Sequence, residues 1–376
     1  MVHVAEDMSR RSGGVPAVVR QLSRRLSAAG LAVHTAYALG DDGELPASVV
    51  RHQFAPGRWG RMWRWSRGMR AGLQALATPP GGDKVIFHLH GIWSGIHYVA
   101  ARVASASKVP FVLSAHGMLE PWLWNCQGLG IWMKKHVYWK TLGFPVLSKA
   151  TVVHAITPLE RDHLQLLFPA NRIEVIPNAI EVPVSMACGN GPRSPVVLFL
   201  GRIEPKKGVD ILIRAFAQAH LGSDWQLQIA GPAWSESYLA ELKRLVERLH
   251  VQNQVNFLEP VFGNDKAVLL DSAWVMALPS HSEVVGLVNL EAAVHCLPTI
   301  TTPQTGLYDW ESGGGILVEP QVDAVASALS RAAAWSRRER DERGFASRRL
   351  VEERYSWHAI LPRWLALYES IQEDRA

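Results

Sequence analysis

Residues 196–219 read VVLFLGRIEPKKGVDILIRAFAQA, and they combine an apolar run, a basic loop bounded by glycines and an amphipathic segment. The apolar run predicts a strand buried on both faces, which is typical of a parallel sheet, and the segment after the loop predicts a helix. Ligands of such sheets bind beyond the carboxyl ends of the strands. Arg202 and Lys207 lie in that loop and are candidates to bind a diphosphate, although the residues alone also fit a solvated basic loop.

A second loop with the same placement follows the apolar run at 274–278. It contains Glu283, and a helix is predicted from Gly286 onward with Glu291 on it, about 12 Å from Glu283 along the axis at 1.5 Å per residue. The first amides of that helix, at Gly286, Leu287 and Val288, suit an anion. Two carboxylates on either side of a bound phosphate can accept hydrogen bonds from sugar and ribose hydroxyls. The alternative is a capping carboxylate and a surface glutamate.

Strand-like and helix-like segments alternate along the whole chain. Strands are predicted at 2–5, 31–39, 85–90, 111–114, 152–156, 173–176, 196–200, 227–230, 255–258, 274–278, 299–301 and 316–318. Helices are predicted at 15–29, 209–219, 238–249, 266–272, from 287, and at 322–335, 338–353 and 357–371. Residues 179–195 are rich in proline and glycine and predict a linker. The pattern therefore predicts two α/β, doubly wound domains, at 1–178 and 196–356.

The composition of the 376 residues excludes several classes of protein. No apolar run reaches the ~18 residues of a membrane span, and the first residues lack the basic segment and apolar run of a secretory signal. Cys126, Cys188 and Cys296 lie far apart without a CxxC, so the sequence predicts neither a disulfide framework nor a thiolate zinc site and fits a reducing cytoplasm. His88 and His90 are interpreted as strand-end histidines rather than metal ligands. Neither GxGxxG nor the Walker loop occurs.

Charge and tryptophan are distributed unevenly between the two halves. Residues 1–178 contain 20 Lys and Arg against 10 Asp and Glu, whereas residues 179–376 contain 19 against 24. Within the basic half, Arg58–Arg70 interleaves three Trp with five Arg, and Trp122–Lys140 adds four Trp and three Lys. This composition favours an anionic membrane surface over nucleic acid. The alternative is that some of these tryptophans belong to a core beside a solvated arginine face.

Taken in order, these motifs resemble the retaining glycosyltransferases of family 4, which have the GT-B fold. The resemblance rests on the E-x7-E pair, the Gly-Arg-x4-Lys-Gly loop and Gly13–Gly14 after the first strand, with further matches at 114–122 and 176–178. It covers nearly the whole chain. It implies two Rossmann-like domains facing a cleft, with a nucleotide-sugar donor bound by the C-terminal domain and an acceptor by the N-terminal one. It also implies that the last helix, 357–372, packs back on the first domain.

The resemblance implies a role for each matching residue. Arg202 and Lys207 would neutralise the diphosphate as it leaves, Glu291 would hold the ribose, and Glu283 would contact the transferred sugar. His116 would lie beside the reacting centre. The expected catalytic residues are His116, Glu283, Arg202 and Lys207. The expected donor-binding residues are Gly13, Gly14, Arg202, Lys207, Gly286, Leu287, Val288 and Glu291. The chain departs from the family at 284–286, where Val-Val-Gly replaces the usual Gly-Phe-Gly and alters one wall of the expected sugar pocket.

The function expected from this resemblance is retaining transfer of a hexose-type sugar from a UDP- or GDP-linked donor. The acceptor would be a glycan or a lipid-linked molecule in polysaccharide or lipopolysaccharide biosynthesis. No DxD motif indicates a metal, and no cofactor is expected. The protein would be cytoplasmic and peripheral on the inner face of the cell membrane, without a nucleic-acid partner. The alternatives are a sugar-nucleotide epimerase or hydrolase of the same fold, or a non-catalytic sugar-nucleotide-binding protein.

Overall fold

The computed structural model describes residues 1–9, 14–41, 43, 45–57, 63–120, 129–183, 188 and 193–373. The chain divides into two compact units. The first contains Met1–Asn178 and Ile360–Ala376, and the second contains Ala179–Ala359. Each unit is built around its own parallel sheet, which is the Rossmann-like architecture predicted from the alternation of strands and helices.

The first unit contains a seven-stranded parallel sheet with the order β3-β2-β1-β4-β5-β6-β7. Its strands are β1 (Val2–Met8), β2 (Val33–Asp41), β3 (Val49–Gln53), β4 (Phe87–His90), β5 (Phe111–Ser114), β6 (Val152–Ala155) and β7 (Arg172–Val175). Its helices are Gly14–Ala28, Met69–Ala77, Gly95–Ala106, Leu129–Tyr138, Phe144–Leu147 and Pro158–Leu167, with a π-helical turn at Trp139–Gly143. The strand order reverses between β1 and β4, so the loops after these strands and β5 meet at one edge.

The second unit contains a six-stranded parallel sheet with the order β10-β9-β8-β11-β12-β13. Its strands are β8 (Val196–Leu200), β9 (Gln226–Ala230), β10 (Val255–Leu258), β11 (Val275–Leu278), β12 (Thr299–Thr301) and β13 (Ile316–Leu317). Its helices are Val209–Gln218, Glu236–Arg248, Gly263–Ser272, Leu287–Val294, Val322–Ala333 and Arg337–Arg354. Here the order reverses between β8 and β11. The two loops singled out by the sequence, at 201–208 and 279–286, are the loops that follow these two strands.

The last helix, Trp357–Glu373, joins the first unit from Ile360 onward. Trp364 stacks near the rings of His88 and His154, with centroid distances of 5.1 and 4.6 Å. Arg363 donates a hydrogen bond of 2.5 Å to the carbonyl of Val175. The part of the predicted linker that the structure describes lies with the second unit. The amide of Ile180, for example, donates to the carbonyl of Tyr355 at 2.8 Å.

One expectation about the cysteines is wrong. The structure joins Cys188 and Cys296 in a disulfide, with their Cα atoms 5.5 Å apart across a sequence separation of 108 residues. Spacing along the chain does not reveal this pair, because residues near 183 are brought to the second unit by packing. Arg348, for example, donates to the carbonyl of Pro183 at 3.0 Å. Cys126 lies outside the described residues.

Candidate active site

The loops after β8 and β11 pack directly against each other. A short 3-10 turn at Pro205–Lys207 ends at Gly208, which has a left-handed φ of 66°. A Cβ atom at Gly208 would collide with the backbone carbonyl of Pro279. The amide of His281 donates to the carbonyl of Lys206 at 2.8 Å. The glycine therefore lets the two loops close on one another, and this places Lys207 next to the second loop.

Lys207 and Glu283 form an ion pair at this junction. Their side chains are only 15% and 11% exposed. The Ser280 hydroxyl also donates to Oε1 of Glu283 at 3.2 Å, and the Glu283 amide donates to the carbonyl of Gln304 at 2.9 Å. Two of the predicted catalytic residues, 76 positions apart in sequence, are thus brought into contact. The pair holds a cation and a carboxylate side by side at the switch point of the sheet.

A cavity of about 210 Å³ lies in the same unit. It is lined by Leu200, Gly201, Arg202, Ala230, Gly231, Pro232, Pro260, Val261, Phe262, Lys266, Val288 and Glu291. Arg202, Val288 and Glu291, which the sequence predicted to bind the donor, therefore line one pocket. Val261 and Phe262 contribute an apolar wall, with the Phe262 side chain 76% exposed.

Lys266 is a member of this cavity that sequence reasoning missed. Its ammonium forms an ion pair with Oε2 of Glu291. The helix that carries Lys266, Gly263–Ser272, buries only Leu270, so its sequence has no amphipathic pattern that would single out one face. Both carboxylates of the E-x7-E pair therefore have a lysine partner, Lys207 for Glu283 and Lys266 for Glu291.

The floor of the cavity depends on two glycines at the ends of β8 and β9. Gly201 and Gly231 have φ values of 149° and 150°. A Cβ atom at Gly231 would collide with the carbonyl oxygen of Gly201. The amide of Gly201 donates to the carbonyl of Ala230 at 3.1 Å. Close contact of bare backbone leaves room for a ligand over this floor.

The start of helix Leu287–Val294 is partly engaged by the protein itself. The amide of Gly286 donates to the carbonyl of Thr305 at 3.1 Å, and the amide of Leu287 donates to the carbonyl of Val285 at 2.9 Å. An anion at these two amides would have to displace those bonds. Val288 contributes its side chain to the cavity.

His116 follows β5 in the first unit and sits in a left-handed turn. The φ values of His116 and Gly117 are 50° and 73°. The turn is held by Glu160, whose Oε1 accepts from the Gly117 amide and whose Oε2 accepts from the Ile156 amide, each at 2.7 Å. Burial raises the pKa of Glu160 to about 7, against the lowering effect of these two hydrogen bonds. Glu160 is a second residue that sequence reasoning missed.

We expect Glu160→Gln to lower stability at pH 5 by about 1–3 kcal/mol. A pKa of about 7 leaves Glu160 protonated at this pH, and the hydroxyl oxygen of the acid can still accept from an N–H group, whereas the NH2 group of the amide cannot. The wild-type pKa is raised from 4.5 to about 7, so the contribution of Glu160 to stability is complete below pH 4.5 and is lost as the pH rises to about 7. The variant lacks this titration. Urea unfolding across pH 4.5–8 should therefore show a stability difference that shrinks toward pH 7 and then stays constant. Parallel curves would contradict the assignment.

Among the described residues, His3, His88 and His90 are the set whose side-chain nitrogens could converge on a metal ion, with one nitrogen from each lying within 4.8 Å of the others. Their rings are already hydrogen-bonded within the protein. His88 contacts the hydroxyls of Tyr368 and Ser114 through its two nitrogens, at 2.8 and 2.7 Å, and Nδ1 of His3 contacts Nε2 of His90 at 2.9 Å. This arrangement differs from the two isolated strand-end histidines predicted from the sequence.

The remaining predicted residues are the two glycines after the first strand and the two basic, tryptophan-rich segments. Gly13 lies outside the described residues, and Gly14 begins the first helix. Residues 58–62 and 121–128 of the two basic, tryptophan-rich segments also lie outside them. Trp139 is buried and belongs to the core, whereas helix Leu129–Tyr138 exposes Ile131, Met133 and Val137. Within the described part of the chain, the helices are too short or too polar to cross a membrane.

Two family models match this chain over adjacent ranges. The model of Glycosyltransferase Family 4 matches residues 12–182. The model of glycosyl transferases group 1 matches residues 189–343. Together they span both units.

Individual proteins with a similar sequence or structure agree with these matches. The uncharacterized glycosyltransferase MJ1607 of Methanocaldococcus jannaschii is 26% identical over 82% of this chain and 81% of its own length. The structure of HepE from Anabaena in complex with UDP and glucose is similar with a TM-score of 0.74 at 17% identity, over 98% of this chain and 99% of that one. WaaG, described as a glycosyltransferase involved in lipopolysaccharide biosynthesis, has a TM-score of 0.66 at 17% identity, over 93% and 95%. The expected GT-B class, with two Rossmann-like domains, is confirmed.

Proposed function

Since the chain belongs to the group 1 glycosyltransferases of family 4, we propose that it transfers a hexose-type sugar from a nucleoside-diphosphate donor with retention at the anomeric carbon. The observation that carries this proposal is the donor-like site of the second unit. Arg202, Lys266 and Glu291 line one cavity, and the Lys207–Glu283 pair lies at the neighbouring switch point. Cations suit a diphosphate, and carboxylates suit hydroxyls.

Binding of the donor would exchange the partners of the ion pair. Lys207 would pass from Glu283 to the diphosphate, and Glu283 would pass from Lys207 to the hydroxyls of the sugar. Both charges thus keep a partner when the donor arrives, which limits the cost of opening the pair. Arg202 is 55% exposed and can turn toward the same diphosphate.

The chemistry follows from where charge develops. The bond between the anomeric carbon and the phosphate oxygen breaks, and a bond from that carbon to the acceptor oxygen forms on the same face. The leaving phosphate takes the proton of the acceptor hydroxyl and departs as nucleoside diphosphate. Arg202 and Lys207 stabilise the negative charge that grows on the leaving group. We propose that these cations take the place of a metal ion, and that the reaction uses no cofactor.

A uridine donor is the first choice, because HepE, similar in fold, has been solved with UDP, with UDP and glucose and with UDP-glucose. We propose a glycan or lipid-linked acceptor of polysaccharide or lipopolysaccharide biosynthesis at the inner face of the membrane. The fold similarity to WaaG supports this acceptor class. The basic composition of residues 1–178 gives it independent support.

The deciding experiment measures nucleoside diphosphate released from a panel of UDP- and GDP-linked sugars, with and without an acceptor extract. A transferase releases product in proportion to acceptor. A hydrolase releases it without acceptor, an epimerase changes the sugar while it remains on the nucleotide, and a binding protein gives a thermal shift with no turnover. Any of the last three results would replace the proposed reaction.

Glu291→Gln tests the ribose assignment. We expect the wild-type protein to bind UDP about tenfold more tightly than its 2′-deoxy analogue, because a carboxylate built to accept from a hydroxyl discriminates against its absence. The variant should lose most of this preference. Titration calorimetry with both ligands measures it. Glu259→Gln, a neighbouring carboxylate that is absent from the cavity lining, is the control and should keep the preference.

Helix Leu129–Tyr138 and the residues after it supply a candidate membrane surface. Ile131, Met133 and Val137 are 48%, 52% and 62% exposed, and Lys134 and Lys140 are exposed beside them. Such a mixture suits the boundary of an anionic bilayer.

We expect the protein to co-sediment with vesicles containing phosphatidylserine at low salt, and Val137→Asp to weaken binding by roughly tenfold because it replaces apolar area with a negative charge. Leu166→Asp is the matched control, since Leu166 is 82% exposed on another helix of the same unit. The membrane proposal fails if the wild-type protein stays in the supernatant at low salt.

A further inference from the structure

Five histidines lie close together in the first sheet, and the resemblance to family 4 gives a role to only one of them, His116. They are His3 on β1, His88 and His90 on β4, His116 after β5 and His154 on β6. Register places His3 beside His88, and Ser114 lies beside both His90 and His154. Burial lowers the pKa of every one of these rings, to about 3 for His3 and His116 and to about 4 for His154. The five rings are therefore neutral at physiological pH.

Four side chains, two of them histidines, form a row of hydrogen bonds whose direction is fixed. We call it the Tyr368 row. It runs from the hydroxyl of Tyr368 through His88, Ser114 and His154 to the carbonyl of Ile176, with steps of 2.8, 2.7, 2.7 and 2.8 Å. A carbonyl only accepts, so Nε2 of His154 donates. Each earlier member must then donate forward, and the hydroxyl of Tyr368 is the first donor.

Three other rings form a second row, here called the His116 row. Nδ1 of His3 contacts Nε2 of His90 at 2.9 Å, and Nδ1 of His90 contacts Nε2 of His116 at 3.0 Å. The ring of His88 lies against that of His90 with centroids 4.0 Å apart, so the Tyr368 row forms one wall of the His116 row. The other nitrogen of His116, Nδ1, has no hydrogen-bond partner among the described residues.

The buried end of the His116 row decides its direction. Nε2 of His3 is buried and has no hydrogen-bond partner among the described residues. If the row donated inward, from His116 to His90 and from His90 to His3, this atom would be a buried N–H without an acceptor. If it donates outward, from His3 to His90 and from His90 to His116, the same atom is a bare ring nitrogen. Buried N–H groups without a partner are the rarer and costlier case, so the outward direction is favoured.

We propose that His3 and His90 are positioning residues that hold His116 as the Nδ1–H tautomer, so that His116 donates a hydrogen bond to an oxygen of the bound substrate instead of taking a proton from it. The proposal rests on the proposed function for the identity of that oxygen, which would be a hydroxyl of the acceptor. The tautomer itself does not depend on that function. Each step of the row fixes the next, because a neutral imidazole carries one N–H and one bare nitrogen.

The row makes a prediction that a local role for His116 does not make. In His3→Asp, a carboxylate oxygen takes the place of Nδ1 of His3 and can only accept, so Nε2 of a neutral His90 must donate to it and Nδ1 of His90 must accept from His116. His116 would then become the Nε2–H tautomer, although the altered residue lies two hydrogen bonds away. His90→Asp should have the same effect, whereas His90→Asn keeps an N–H near the position of Nδ1 and should preserve the wild-type tautomer.

The experiment is a long-range ¹H–¹⁵N spectrum of the full chain labelled at histidine, in which protonated and bare ring nitrogens have well-separated shifts. His116 is assigned by its loss in His116→Asn. We expect Nδ1–H in the wild-type protein and in His90→Asn, and Nε2–H in His3→Asp and His90→Asp. The matched control is His34→Asp, because Nδ1 of His34 contacts Nε2 of His52 in the same way, at 3.0 Å on strands β2 and β3. It should leave His116 unchanged.

Turnover provides a second readout. We expect kcat to fall about tenfold in His3→Asp and His90→Asp, in keeping with one lost hydrogen bond, and to stay within about threefold in His90→Asn. An Nε2–H or charged His116 in the wild-type protein, or no change of tautomer in His3→Asp with His90 neutral, would overturn the proposal. So would one equivalent of zinc in the purified protein whose removal alters the spectrum. If the spectra agree but no donor is turned over, the proposed function fails while the row stands.

Discussion

Lys207→Ala is expected to lower kcat by about 10²–10³, the effect of removing one charged group that stabilises a leaving anion. Lys207 is 15% exposed and already paired with Glu283, so its ammonium is held at the switch point of the second sheet before any donor binds. The variant loses that positive charge and leaves Glu283 without its cation. Steady-state kinetics should therefore show a large fall in kcat, and a thermal melt should show a folded protein.

Lys206→Ala is the matched control for this variant. Lys206 is the adjacent lysine in the same turn, and its ammonium lies 3.6 Å from Glu204 instead of Glu283. Its backbone contact with His281 does not depend on the side chain. We expect its kcat to stay within about threefold of the wild-type value. Near-normal turnover by folded Lys207→Ala, or equal losses in the two variants, would remove the assigned role.

Gly231→Ala is expected to destabilise the second unit by about 3–5 kcal/mol and to lower its melting temperature by on the order of 10 °C. The added Cβ atom would meet the carbonyl oxygen of Gly201, which is backbone and cannot rotate away. The φ value of 150° adds backbone strain for any residue with a side chain. Binding of UDP should weaken as well, because the two strand ends must separate.

Gly263→Ala separates the collision from the backbone strain. Gly263 also has a left-handed φ, of 53°, but a Cβ atom there would have nothing within 4 Å. We expect a cost of only about 1–2 kcal/mol. Calorimetry of both variants measures the difference. Equal melting temperatures would mean that the cavity floor does not depend on the close contact between Gly201 and Gly231.

Buried strands were readable from the sequence because their apolar runs have no other explanation. The predicted strand at 111–114 agrees with β5, and the predicted strand at 196–200 agrees with β8. The edge strand β3, Val49–Gln53, was missed. It exposes several of its residues and contains Arg51, His52 and Gln53, so it lacks both an apolar run and a clean alternation. Edge strands of this kind are set by pairing with their neighbour.

The sequence motifs predicted individual residues of the candidate site, but not the contacts between those residues. Lys207 and Glu283 could be assigned because each follows a buried strand, but their direct contact depends on how two loops pack. Lys266 is 25 positions from Glu291 and stands in no motif. Glu160 did leave a signal, since Thr157-Pro-Leu-Glu160 is a capping box, and the Thr157 hydroxyl accepts from the Glu160 amide at 3.1 Å. Nothing in that box indicates that the carboxylate also holds the turn of His116.

The last helix has a consequence for how the protein is made. Residues 360–373 complete the first unit, yet they leave the ribosome after the whole of Ala179–Ala359. At about 5–20 residues per second this is a delay of roughly 10–40 s. During that time His88 and His154 lack the cover of Trp364 and Tyr368. We expect the nascent first unit to be held by chaperones during this interval, and a circular permutant that places 360–373 before residue 1 to shorten it.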